Sequence, residues 1–142
     1  MDDKDFHRAV DAYRRALGAF VRGDARQVLD LFSRRDDVTL ANPLGPPRRG
    51  RADVEKAVEA AAANFVEGSV RFEEVSRYST SDLGYVVQLE RCEVQLAASE
   101  VILPSTLRVT MIFRLEDGDW RVAHRHADPI TTARPISTVI DT

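Results

Sequence analysis

The spacing of apolar residues changes period once along this 142-residue chain, and that change decides the class of fold. Up to about residue 65 apolar side chains recur at steps of three and four; from Ser69 onward they alternate. The first spacing gathers them on one stripe of a helix, the second on one face of a strand. Helices followed by a run of long strands on short turns define an α+β domain, with an antiparallel sheet that the helices cover on one side.

Phe6, Val10, Tyr13 and Leu17 form the stripe of a first helix, predicted from Asp3 to Arg22 and ended by Gly23. Asp24 is suited to cap a short second helix, "ARQVLDLFS". "DDVTLANP" reads as a short strand stopped by Pro43. "NPLGPPRRGR", with three prolines and two glycines, reads as a loop. "ADVEKAVEAAAANF" is a third helix ending by Gly68. Four strands follow: "SVRFEEVSRYS", "YVVQLERCEVQLA", "STLRVTMIFRLE" and "WRVAHRHAD", with "TSDLG" and "DGD" among the turns. The tail "ITTARPISTVIDT" is expected to be irregular.

An apolar share of 44% and a charged share of 30% describe an ordinary globule. The length suits a single domain over residues 1–142, with a core of about 5–129 and a tail of 130–142. A net charge of −3 gives no reason to expect nucleic acid or an anionic membrane as partner. No run approaches the ~18 apolar residues of a membrane span, and the N-terminus lacks an apolar leader, so a cytoplasmic location is expected. Cys92, the single cysteine, excludes an intrachain disulfide and reads as a small buried hydrophobe.

"WRVAHRHADP" holds two of the three histidines. On an unbroken strand Trp120, Val122, His124 and His126 share a face, and the company of Trp and Val makes it the inner one. Imidazole exchanges protons near neutrality, so the pair suits acid/base work, ligand orientation or a structural hydrogen-bonding role. His-x-His also begins a metal site. His7 and Asp128 offer no convincingly spaced third ligand, so no metal or cofactor is expected.

The order helix, "GD", helix, "DDVTLANPLGPPRRGR", helix, then strands ending in "EDGDWRVAHRHAD" resembles the SnoaL-like and ketosteroid-isomerase-like superfamily. The resemblance covers about residues 5 to 129. It implies three N-terminal helices packed into a strongly curved, mostly antiparallel sheet, the cystatin-like cone shared with nuclear transport factor-type domains, around a deep pocket. That fold serves isomerases, cyclases, dehydratases and non-catalytic binders alike. The isomerases need a general base and an oxyanion hole built from a Tyr and a protonated Asp. In this chain the base position falls on Asn42, whose amide orients a ligand but abstracts no proton. The tyrosine position falls near Ala16, with Tyr13 one turn earlier, and the acidic donor's position around Arg108 or Met111. Steroid isomerisation by that mechanism is therefore not expected.

The resemblance and the residues together predict binding of a small hydrophobic, carbonyl-bearing molecule inside the cone. His124 and His126 would shuttle protons in a cofactor-independent isomerase, cyclase or dehydratase-type reaction. Tyr13, Asn42, Arg91, Met111, Phe113 and Trp120 would bind the ligand, and of Glu90 and Glu93, which face opposite ways, one would point inward. The alternative is a non-catalytic ligand-binding or dimerisation module. Thr110, Ile112, Val86 and Cys92 are assigned to an outer face too apolar to stand alone, which predicts a homodimer through that face.

Overall fold

Ten elements follow one another in the computed structural model, which describes residues 3–141. They are α1 (Asp3–Phe20), α2 (Arg26–Leu31), β1 (Thr39–Ala41), β2 (Arg48–Arg49), α3 (Arg51–Ala62), β3 (Phe65–Ser79), β4 (Leu83–Leu96), β5 (Ile102–Glu116), β6 (Asp119–Asp128) and a 3₁₀ turn (Ile136–Val139). One sheet takes all six strands in the order β2-β1-β6-β5-β4-β3. Neighbours run antiparallel except β1, which lies parallel to β6.

The helices have 18, 6 and 12 residues, so α2 is little more than a turn and a half. It stops at Phe32, which is extended (φ −75°, ψ 149°) and turns its ring into the core. β3 and β5 start earlier than Ser69 and "STLRV" suggest, because a strand paired on a sheet needs no apolar alternation at its frayed end. β2 was not visible in the sequence: two exposed arginines in the proline-rich loop pair with β1.

The core forms where α1 lies along the concave face of the sheet. Phe6, Val10, Tyr13 and Leu17 of α1 are buried against Val86, Val109, Met111, Phe113 and Val122 of β4, β5 and β6. The aromatic rings meet edge to face, Phe6 with Phe113 at 5.5 Å and Tyr13 with Phe32 at 6.0 Å, the favoured quadrupole geometry. Gly84 permits this approach: a Cβ there would stand 2.5–2.9 Å from the Phe6 ring. Val86 points into this core, and Cys92 shares its inner phase on β4, so neither belongs to the outer face to which alternation had assigned them.

Pairing is interrupted at Phe65/Glu67 and Glu74/Ser76 on β3, and between Ile112 and Phe113 opposite β6. Each extra residue bends its strand and adds twist, and together they curl the sheet around α1.

Candidate ligand-binding site

A cavity of about 220 Å³ opens beside the turn after β1 and runs inward between α1, α3 and the sheet. Its walls are apolar: Leu17, Phe20, Phe32, Leu40, Val58 and Leu107. Pro43 and the exposed Leu44 mark the mouth, where Asn42 Oδ1 accepts the Leu44 N–H and fixes the turn. A side lobe of about 70 Å³ branches toward Glu90 and Cys92. Arg125 lines both spaces and is only 8% exposed.

Arg125 is held by β6 and reaches across β5 to β4. Its NH2 donates to Glu90 Oε1 at 2.6 Å and its NH1 to Glu90 Oε2 at 2.9 Å, the two-pronged geometry that a guanidinium makes with a carboxylate. NH1 also points at Met111 Sδ, 3.5 Å away. Glu90 is 2% exposed, and its Oε2 accepts a further bond from Gln88 Nε2 at 2.9 Å. Gln88 Oε1 in turn accepts from Arg14 Nε and NH2 at 3.0 and 2.7 Å, and Arg14 NH2 reaches Glu74 at 2.9 Å. Every polar group from the cavity floor to the edge of α1 therefore has a partner, as burial requires.

Tyr13 stands beside this pair. The Arg125 guanidinium lies 5.7 Å from the centre of its ring. Burial pushes the Tyr13 hydroxyl up to about 12, with the Glu90 charge acting the same way and the Arg125 charge opposing both. The phenol is thus a neutral donor throughout the physiological range. Burial, then the Glu90 charge, raises the Cys92 thiol to about 11, which leaves it protonated and unreactive.

The histidines lie elsewhere. Phe113 pairs with Val122 and Ile112 with His124, so Ala123 is an extra residue with no partner on β5. That bulge shifts the alternation by one: Trp120 and Val122 face inward before it, Arg125 and Ala127 after it. His124 and His126 consequently point to the outer face, and the inward orientation expected for them is corrected. His124 Nδ1 meets Thr39 Oγ1 at 2.8 Å, and His126 Nε2 meets Asp128 Oδ2 at 2.7 Å. Burial and then the neighbouring His126 hold the His124 pKa below its ordinary value.

Arg91 is also on the outer face, in phase with Tyr85, Val87 and Leu89, and donates to Glu73 at 2.8 Å rather than to a ligand space. Met111 and Phe113 do point inward but are consumed by the core, without lining the cavity. Trp120 packs on Phe6 at 5.3 Å, at the far end of α1. Of the residues singled out from sequence, Tyr13 and Asn42 line the cavity. Of the two glutamates, Glu90 turns inward and Glu93 is exposed. Arg125 and Gln88 were missed. Gln88 shares the inner phase of Val86 and Glu90, of which the first had been assigned outward and the second left open, and the phase of Arg125 depends on the bulge. No group of three or more His, Cys, Asp or Glu side chains placed to hold a metal occurs among the described residues.

Solved structures share this fold. A nuclear transport factor 2-like superfamily protein from Salmonella enterica superposes with a TM-score of 0.78 at 12% identity, covering 93% of each chain. A candidate dehydratase of the NTF2-like family from Streptomyces avermitilis gives 0.75 at 20% identity, over 91% of this chain and 96% of that one. A ketosteroid isomerase-like protein from Erwinia carotovora atroseptica gives 0.74 at 20% identity over the same shares. At such identities the likeness establishes the fold and no activity. No curated protein matches the sequence. The SnoaL-like domain model matches residues 10–131, from the middle of α1 to just past β6 and so through every element that builds the cavity, and the chain belongs to that family.

Proposed function

We propose that this protein binds a small hydrophobic molecule carrying a carbonyl group, with the carbonyl oxygen turned toward Tyr13 and Arg125. One observation carries the reading: a mostly apolar cavity, with Asn42 at its mouth and Ser105 on its wall, ends on a polar floor where a neutral phenol and a buried guanidinium stand side by side. Small-molecule sites are built this way, with apolar walls for affinity and a few fixed polar groups for orientation. An apolar cavity of about 150 Å³ accepts benzene, so about 220 Å³ suits one or two fused rings. Calorimetric titration with 1-acetonaphthone tests this. Saturable binding that disappears in Leu17→Trp, which fills the cavity, supports it; absence of binding to the native chain overturns it.

Proton-transfer catalysis of isomerase, cyclase or dehydratase type is the second reading. It is favoured by the Glu90 carboxylate at the side lobe, beside the neutral Tyr13 donor, and it echoes the description of the Streptomyces neighbour. Both Glu90 oxygens are already engaged, so binding without turnover stands first. Protein-accelerated exchange of the 1-acetonaphthone methyl protons for deuterium, followed by NMR, would favour catalysis; exchange at the buffer rate leaves the binding reading alone.

We also propose a homodimer through the outer sheet face. Tyr78, Leu83 and Tyr85 are 60%, 48% and 38% exposed and surround an apolar hollow with Val87 and Ile112. Patches of this kind mark contact surfaces. Light scattering should give twice the 15.9 kDa chain mass, and a monomer at micromolar concentration contradicts the pairing.

A further inference from the structure

The cavity floor carries two formal charges of opposite sign, and its second member has a consequence for what can bind. This inference rests on the binding reading above.

Glu90 is not an incidental neighbour of Arg125. Three hydrogen bonds fix it, two from Arg125 and one from Gln88, and Gln88 is itself fully buried and oriented by Arg14. Arg14 also reaches Glu74, which it shares with Arg77. At the cavity floor itself the Arg125–Glu90 pair is electrically neutral. Of the five N–H groups of the guanidinium, two are given to Glu90, one to Met111 Sδ and one to the Tyr13 hydroxyl, which leaves one N–H and the phenol O–H as donors not engaged within the chain.

A neutral acceptor, such as a ketone oxygen, needs only those donors. A carboxylate approaching the same guanidinium brings its charge beside the Glu90 charge, where little water is present to screen the repulsion. To be gripped by two parallel N–H groups it would also have to displace Glu90 from its bidentate pair. We propose that Glu90 sets the ligand class of this cavity: by cancelling the charge of Arg125 it admits uncharged, acceptor-bearing apolar compounds and refuses organic acids of the same shape.

The test is a matched pair of probes, 1-acetonaphthone and 1-naphthoate, titrated into the native chain and into Glu90→Gln near neutral pH at physiological salt. The native chain should prefer the ketone by about tenfold or more. Glu90→Gln keeps the shape and the Gln88 contact but uncovers the Arg125 charge. It should raise the ratio of naphthoate to ketone affinity by about tenfold or more over that of the native chain. If Glu90→Gln fails to fold, the double variant Glu90→Gln with Arg125→Gln restores a neutral floor and should keep the native order of preference. Naphthoate binding to the native chain as tightly as the ketone overturns the charge selection and leaves the cavity reading standing. Failure of both probes to bind the native chain removes the cavity reading and this inference with it.

Discussion

Arg125 of β6 spans the width of β5 to grip Glu90 of β4 at 2.6 and 2.9 Å, and the pair forms where the cavity meets its side lobe. The guanidinium stays ionised: burial works against its charge, and the carboxylate beside it more than compensates.

Because both charges are almost wholly buried, removing one should cost more than removing both. Glu90→Leu alone is expected to destabilise by about 3–5 kcal/mol, since it strands a buried cation, whereas Glu90→Leu with Arg125→Met should recover most of that loss. A urea-unfolding double-mutant cycle reads the coupling, and additive single losses would contradict the pairing.

The outward turn of the histidines makes a separate prediction. His124→Ala with His126→Ala should leave 1-acetonaphthone affinity within about threefold and stability within about 1–2 kcal/mol, mainly for the lost Thr39 contact. Loss of binding in that variant would place the imidazoles back in the cavity.

This pair also shows where reading the sequence stops. The switch in apolar period located the helices, the four long strands and the inner phase of β5, since all of these are local patterns. β4 reads from sequence in the opposite phase, with Val86 and Cys92 outside and Arg91 inside, because both of its faces carry apolar residues. Ala123 carries no mark of a bulge; its neighbours alternate as well in one phase as in the other. Only the register against Ile112 and Phe113 reveals the shift. One unpaired residue thus exchanged His124 and His126 for Arg125 on the inner face, and with them the chemistry expected of the site. The partnership of Arg125 and Glu90, 35 positions apart in sequence, was likewise beyond any local pattern.

Gly84 gives a packing test. Gly84→Ala puts a methyl group against the Phe6 ring, which is fully buried and also confined by Phe113. A loss of about 1–3 kcal/mol is expected in thermal or denaturant unfolding. Phe6→Leu in the same chain should return part of it.

Two groups give the stability curve a predictable slope. Asp128 lies at about 2 in the folded chain: burial alone would raise it, but bonds from Arg108, the Ile130 amide and His126 prevail. Its folded pKa is below its unfolded one, so its contribution is present above about pH 4 and is lost as the pH falls toward 2. Asp128→Asn should flatten that limb. His124 is also lowered on folding, here because burial disfavours the cation. The unfolded chain therefore takes up the proton first, and stability should decline as the pH falls through about 6.5, a step that His124→Gln removes.

The most direct examination of the proposed binding mode is a crystal structure of the chain soaked with 1-acetonaphthone. The account predicts the naphthalene rings between Leu17 and Leu107 and the ketone oxygen within hydrogen-bond distance of the Tyr13 hydroxyl and the Arg125 guanidinium. A probe seated on the outer face beside His124 and His126, with the inner cavity closed by side chains, would contradict it.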